Sequence, residues 1–470
     1  MNLPKNDPII ALASPSGVGA VAVIRLSGPQ VIDIADTFLR FKNPTKSLST
    51  SPSHSIHLGN VIEGERLIDE VLVSVFKEPH SYTGENVVEI NCHGSAYIQQ
   101  EIIQLFIRNG LRHAEPGEFT LRAFLQGKMD LSQAEAVADL IASKSAAAHQ
   151  IALQQMRGGF SHDIEQLRQQ LVDFASLLEL ELDFSEEDVT FADRSALTDL
   201  LDKIAEVLKR LIDSFSLGNV LKDGIPIAIA GAPNVGKSTL LNALLNEEKA
   251  IVSDIAGTTR DAIEDEINVG GIAYRFIDTA GIRHTEDSVE QIGIQKTFEK
   301  IAQAQLVIYL IDLAELHSGA VDLRAMRAEL DKIRAAYPAK ALLLLANKAD
   351  LVGEKSMENV RLTFSEESLL FISAKERTGL AELCEALGAL VDKGALSNQE
   401  TIVSNARHYE ALTHAYTAVK EVQKGLGKQL STDLLAIDIR QALYHLGEIT
   451  GKVTADDLLG NIFANFCIGK

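Results

Sequence analysis

The octapeptide GAPNVGKS, Gly231 to Ser238, has the make-up of a loop that holds phosphate. Glycines let backbone N–H groups curl around an anion at a helix N-terminus, Lys237 neutralises the outer phosphate oxygens, and the Ser238 hydroxyl can ligate Mg²⁺. The strand-like IAIA precedes the loop and the helical TLLNALL follows it, which is the setting such a loop needs. Further elements follow in the expected order: Thr258 and Thr259 in DIAGTTRD, Asp278 to Gly281 (DTAG), Asn347, Lys348 and Asp350 in NKAD, and Ser373, Ala374 and Lys375 (SAK). Thr259 and Asp278 are natural further contributors to magnesium, directly or through water. The Asp350 carboxylate can accept from the ring N1–H and the 2-amino group of guanine together. Adenine has neither donor and would leave a buried carboxylate unpaired. Together these segments imply a GTPase.

The nucleotide-contacting positions expected from these segments are Asn234, Val235, Gly236, Lys237, Ser238 and Thr239; Ser253, Asp254, Ile255, Ala256, Gly257, Thr258 and Thr259; Asp278, Thr279, Ala280 and Gly281; Asn347, Lys348, Ala349 and Asp350; and Ser373, Ala374 and Lys375. Switch GTPases of the Ras type place a glutamine directly after DTAG to orient the attacking water. Ile282 stands there instead, and an apolar side chain cannot hold a water. Glu286, Asp287, Glu290 and Gln291 lie along the same segment, and Arg260 and Arg283 lie in the two switch segments without a motif that makes either a finger. A bound monovalent cation could supply the missing charge, with Asn234 offering an oxygen beside the β/γ bridge.

The elements that must carry these residues are spread over 470 residues, a length that predicts roughly three folding units. A content of 46% hydrophobic and 23% charged residues excludes a chain disordered throughout. From Asp7 to Arg25 the pattern is two short strands around a Gly17/Gly19 turn, with more strands over Glu70 to Phe76 and Asn86 to Asn91 and a polar loop over Ser47 to Ser55. From Ser132 the spacing turns helical, with Ser132 and Glu135 reading as a capping box. Between Ile225 and about Lys393, strand runs alternate with helical ones, the mark of a parallel sheet with helices on both faces. After Asn398 helical spacing returns through Leu459, with Leu434, Ile437, Ala442, Leu443, Leu446 and Ile449 on or near one face. The expected order is a mixed α/β domain over 1–120, a helical domain over 121–222, an inserted GTPase domain over 223–395, and the rest of the helical domain over 396–470.

The net charge of −21 disfavours a broad basic face for non-specific nucleic-acid binding. Cys92, Cys384 and Cys467 lie far apart with no C-x-x-C spacing, which speaks against a disulfide framework or a cysteine-rich zinc site. The apolar stretches fall well short of the ~20 residues that cross a bilayer, and the N-terminus offers no convincing signal peptide. A reduced, cytoplasmic protein without membrane association is expected.

GAPNVGKS, DIAGTTRD, DTAGIR and SVEQIGI, preceded by PGEFTLRAFLQGKMDLSQAEA (Pro116 to Ala136) and ended by DDLLGNIFANFCIGK, closely resemble the MnmE (TrmE) family of tRNA modification GTPases. The likeness spans the whole chain, and PGEF with the terminal CIGK is far more specific than the GTPase segments. It implies a multidomain α/β plus all-α architecture: an N-terminal tetrahydrofolate-binding and dimerisation domain, a discontinuous helical domain, and an inserted P-loop GTPase domain.

The resemblance further implies a homodimer, an FAD-dependent partner, MnmG, that carries the flavin, and tRNA contacted largely through that partner. The implied reaction adds a carboxymethylaminomethyl or aminomethyl group at carbon 5 of a wobble uridine, from 5-formyl- or 5,10-methylene-tetrahydrofolate. K⁺ would be held by Asn234, Ser253, Ile255 and Thr258, Mg²⁺ by Ser238 and Thr259, and Glu290 would join Lys237 as catalytic by orienting the water through a second one. Arg25, Glu89, Lys128 and Lys470 would bind folate: a carboxylate can pair with pterin N–H groups, and basic side chains suit the anionic tail. Cys467 is implied near the transferred carbon. His93 in NCHGS stands where family members commonly have HGG, with Ser95 in place of the second glycine. The competing expectation is a ribosome-assembly switch similar to Era or Der, which would call for an RNA-binding module or a second GTPase domain.

Overall fold

The computed structural model describes residues 7–43, 45–183, 194–246, 265–277, 298–319, 321, 323–338, 340–365, 367–390, 401–428, 430–454, 456–464 and 466–470. They form two compact units, one of 1–141, 154–208 and 411–470 and the other of 142–153 and 209–410.

The first unit opens with a seven-stranded sheet built from β1 (Ile9–Leu12), β2 (Val21–Ser27), β3 (Leu39–Phe41), β4 (Ser55–Glu63), β5 (Arg66–Phe76), β6 (Val87–His93) and β7 (Arg112–His113), in the order β3-β4-β5-β6-β2-β1-β7. All neighbours are antiparallel except β1 and β7. The period-two alternation decides what each face carries. Ala22, Ile24 and Leu26 of β2, Val71, Val73 and Val75 of β5, and Val88 and Ile90 of β6 are buried in one core with helices α1 (Val31–Thr37) and α2 (Ala96–Arg108). Arg25 and Glu89 alternate out of that set, and they are direct cross-strand partners. The strands expected over Glu70–Phe76 and Asn86–Asn91 are longer here, and β3 and β4 carry no sequence signal strong enough to have announced them.

Helix α3 (Glu118–Leu125) and helix α4 (Leu131–Ala142) follow. The expected capping box at Ser132 and Glu135 is displaced by two residues. The Gln133 N–H donates to the Asp130 carboxylate at 2.9 Å, and the Asp130 N–H donates to Gln133 Oε1 at 3.0 Å. An aspartate satisfies the first orphan N–H groups as well as a serine does, so Ser132 is freed to sit inside the helix. Helix α5 (Gly159–Asp183) packs with the helix Thr432–Thr450. On that second helix the buried face is Leu435, Ile439, Ala442, Leu446 and Ile449. Leu434 and Ile437, expected on it, are each 51% exposed. Helical spacing does not run unbroken to Leu459, because Gly451 in the left-handed region (φ 81°) ends the helix before a last one, Asp456–Ala464. That last helix packs Leu459 and Phe463 on Leu121, Leu131 and Ala134.

The second unit holds a six-stranded sheet of β8 (Ile225–Ala230), β9 (Asp265–Val269), β10 (Ile272–Phe276), β11 (Leu306–Asp312), β12 (Ala341–Asn347) and β13 (Leu369–Phe371), in the order β13-β12-β11-β8-β10-β9. The pairs are parallel as the alternating runs predict, except that β9 and β10 form an antiparallel hairpin on the Gly270–Gly271 turn. Every residue of β11 is buried, as a strand covered on both faces requires. Ile308 and Leu310 face one core, Tyr309 and Ile311 the other. This α/β domain is inserted within the helical one.

Candidate functional site

The phosphate loop leaves β8 through Gly231 (φ 138°), passes Asn234 (φ 62°) and Gly236 (φ 100°), and opens helix α6 (Lys237–Leu245). A side chain at Gly231 would collide with the Leu310 carbonyl and one at Gly236 with the Asn347 amide, so both glycines are required by packing as well as by backbone conformation. The Lys237 ammonium donates to the carbonyls of Gly231 and Ala232, each at 2.8 Å. Burial, helped by the nearby charge of Lys300, holds its pKa below the usual lysine value. The loop thus keeps a desolvated cation ready for an anion.

Asn347 ties the loop to the SAK segment. Its Nδ2 donates to the Val235 carbonyl at 2.7 Å, and its Oδ1 accepts the Ala374 N–H at 3.0 Å. Lys348 sits in the left-handed region and pairs with buried Asp312, which also accepts the N–H groups of Ala314 and Glu315. Asp350 lies in a 3₁₀ turn, Ala349–Leu351, with an exposed side chain. The buried Ser373 hydroxyl accepts the Glu376 N–H at 3.2 Å, and Lys375 is exposed. Asn234, Val235, Gly236, Lys237, Ser238 and Thr239 are therefore gathered with Asn347 and Ala374 at the C-terminal ends of β8 and β12. Ser253, Asp254, Ile255, Ala256, Gly257, Thr258, Thr259, Asp278, Thr279, Ala280, Gly281 and Glu290 lie outside the described residues.

In the other unit Arg25 Nε donates to Glu89 Oε1 at 2.8 Å, and Arg25 Nη1 donates to the Gly469 carbonyl at 3.3 Å. Lys470 is half-buried beside them; burial and the charge of Arg25 lower its pKa, and Glu89 opposes the shift. Three of the four expected folate residues, Arg25, Glu89 and Lys470, therefore meet. Lys128 instead donates to the Pro79 carbonyl at 2.9 Å, on the loop between β5 and β6. Cys467 is exposed, with its carbonyl accepting the Gly117 N–H at 3.4 Å. His93 Nδ1 bonds the buried Asp69 carboxylate at 2.8 Å. Sequence reasoning missed Tyr82 and Phe119, whose ring centroids lie 5.3 and 5.7 Å from the Arg25 guanidinium carbon. Phe119 belongs to PGEF, so only the motif hinted at it.

Two family models match: the GTP-binding protein TrmE N-terminus over residues 8–128 and the MnmE helical domain over residues 131–467. The tRNA modification GTPase MnmE of Christiangramia forsetii is 61% identical over 99% of both chains. The chain belongs to the MnmE family. The MnmE proteins of Flavobacterium psychrophilum and Flavobacterium johnsoniae are 58% and 59% identical, again over 99% of both chains. The MnmE-family fold accounts for the three parts read from the sequence, and membership makes the chain a GTP hydrolase of the tRNA modification class. Among the described residues, no helix is long and apolar enough to cross a membrane.

Proposed function

We propose that the chain is a potassium-dependent GTPase that works in the cytoplasm as a homodimer, joined through its N-terminal domains. With an FAD-dependent MnmG partner it adds a carboxymethylaminomethyl or aminomethyl group at carbon 5 of the wobble uridine of certain tRNAs. A reduced folate, 5-formyl- or 5,10-methylene-tetrahydrofolate, is the one-carbon donor. The observation that carries this reading is that one chain holds both a phosphate loop tied through Asn347 to the Ala374 backbone and an Arg25–Glu89 pair met by its own C-terminal tail, with Lys470 beside it.

The residues present suit the groups they would hold. Ser238 stands at the first turn of α6, behind a loop with left-handed residues, where with Thr259 it would hold Mg²⁺. Asn234, Ser253, the Ile255 carbonyl and Thr258 offer K⁺ neutral oxygen donors; when bound, that ion would supply the positive charge that no sequence motif assigns to an arginine. Lys237 neutralises the outer phosphate oxygens, Asp350 reads guanine, and Glu290 orients the attacking water in the role Ile282 cannot fill. In the folate site Glu89 offers a carboxylate to the amino and N–H edge of a pterin, Arg25 keeps N–H groups for the ligand, and Lys470 and Lys128 serve the anionic tail. Cys467 would lie near the transferred carbon. With a net charge of −21, the chain leaves much of the tRNA contact to its partner.

Mass spectrometry of nucleosides from tRNA incubated with the chain, its FAD-dependent partner, GTP, K⁺ and reduced folate tests the reading. The modified uridine is expected only in the complete mixture. Full product without GTP or without folate overturns it.

A further inference from the structure

The PGEF segment enters the functional reading only through its resemblance, yet α3, which begins inside it, contacts the surroundings of Arg25 at three side chains. Phe119, fully buried, faces the Arg25 guanidinium at 5.7 Å. The buried Thr120 hydroxyl hydrogen-bonds the Tyr82 hydroxyl at 2.9 Å, and the Tyr82 ring is the second aromatic face against Arg25, at 5.3 Å. Arg122, 3% exposed, pairs with Glu118 at 2.9 Å and with Glu85 at 3.2 Å. Glu85 in turn accepts the buried Ser27 hydroxyl at 2.7 Å. Residues 82–85 are therefore fastened to α3 at both ends of the stretch, by Tyr82–Thr120 and by Glu85–Arg122.

We propose that Tyr82, pinned by Thr120, is a positioning residue of the one-carbon-donor site: together with Phe119 it holds the Arg25 guanidinium against two aromatic rings so that its unused N–H groups are presented to the ligand. This rests on the reading of Arg25, Glu89 and Lys470 as that site. A guanidinium has five N–H groups. Among the described residues, Nε–H is spent on Glu89 and one Nη1–H on Gly469, which leaves three. An arginine on a flexible stem loses rotamer entropy when it orients for a planar anion or carbonyl, and stacking against rings removes that loss beforehand. The arrangement suits a ligand that presents coplanar acceptors, such as a pterin carbonyl edge or a carboxylate, rather than a spherical anion.

The experiment is a titration of 5-formyltetrahydrofolate into the full chain, read by calorimetry, for Tyr82→Leu, Tyr82→Phe, Thr120→Val, Thr120→Ser, Arg25→Ala and the Tyr82→Leu/Arg25→Ala pair. Loss of the ring weakens binding by about tenfold, the size of a desolvated cation–π contact. Tyr82→Phe and Thr120→Val show a smaller loss, and Thr120→Ser, which keeps the hydroxyl, restores wild-type affinity. The deciding result is the cycle: in the Arg25→Ala background Tyr82→Leu has no further effect, because Tyr82 acts through Arg25. Additive losses, or wild-type affinity in Tyr82→Leu, overturn the proposal while leaving the folate site standing. Absence of binding by the wild-type chain, or wild-type affinity in Arg25→Ala, overturns the site reading and the proposal with it.

Discussion

The backbone N–H of Gly117 donates to the carbonyl of Cys467 across 3.4 Å, so the PGEF segment and the terminal CIGK tail meet although 350 residues separate them in sequence. Gly117 is left-handed (φ 69°), and a Cβ added there would lie 2.7 Å from the Phe463 carbonyl and 2.9 Å from Phe466 Cβ. One glycine thus decides whether the last helix can seat on α3, and whether Gly469 reaches Arg25.

Gly117→Ala is expected to destabilise this seat by about 2 kcal/mol or more, from the left-handed backbone and the crowded Cβ together. Chemical denaturation measures the loss. Folate affinity should fall with it, because the tail supplies the carbonyl that Arg25 uses; unchanged stability and affinity would show that the tail docks by other means.

Acid should loosen the first unit through Glu118. Burial pushes its carboxyl up, but hydrogen bonds from Arg112, the Glu115 N–H and Arg122, with Arg122's charge, outweigh burial and hold the pKa below the ordinary 4.5. A depressed folded-state value means stability that is present above the unfolded-state pKa and lost as pH falls through the folded one. Glu118→Gln, which leaves the 3%-exposed Arg122 short of a partner, is expected to cost about 3 kcal/mol at neutral pH. The gap between variant and wild type should narrow below pH 4.5. A gap that stays constant in urea titrations from neutral pH to about pH 3 would mean that Glu118 contributes by shape and not by charge.

Asp350→Asn should move nucleotide preference from GTP toward xanthosine triphosphate, because an amide donates where the carboxylate accepted. Sites built to hydrogen-bond their substrate discriminate by about 10⁴. Competition binding with the two nucleotides reads the switch, and retained GTP preference would assign guanine reading elsewhere.

The inserted α/β domain was legible because its strands are continuous apolar runs and its loops carry chemistry at fixed spacing. β9 was not: DEINV is mostly polar and owes its place to pairing with β10. Asp130 escaped notice as a cap because Ser132, two residues on, offers the same signal. At the proposed folate site, period two puts Arg25 and Glu89 each on one face of its own strand, but only the register of β2 on β6 makes them neighbours. Tyr82 could not be found at all, since its relation to Arg25 passes through a loop conformation and a hydroxyl on a helix distant in sequence.

Water must be activated here without a glutamine after DTAG. The most direct test is GTP turnover by the full chain in KCl and in NaCl at equal ionic strength. A cation that takes the place of a finger arginine should make turnover in KCl faster by roughly tenfold or more, given that such a charge is worth ~10³ to 10⁵ in rate. Equal rates in the two salts would contradict the account.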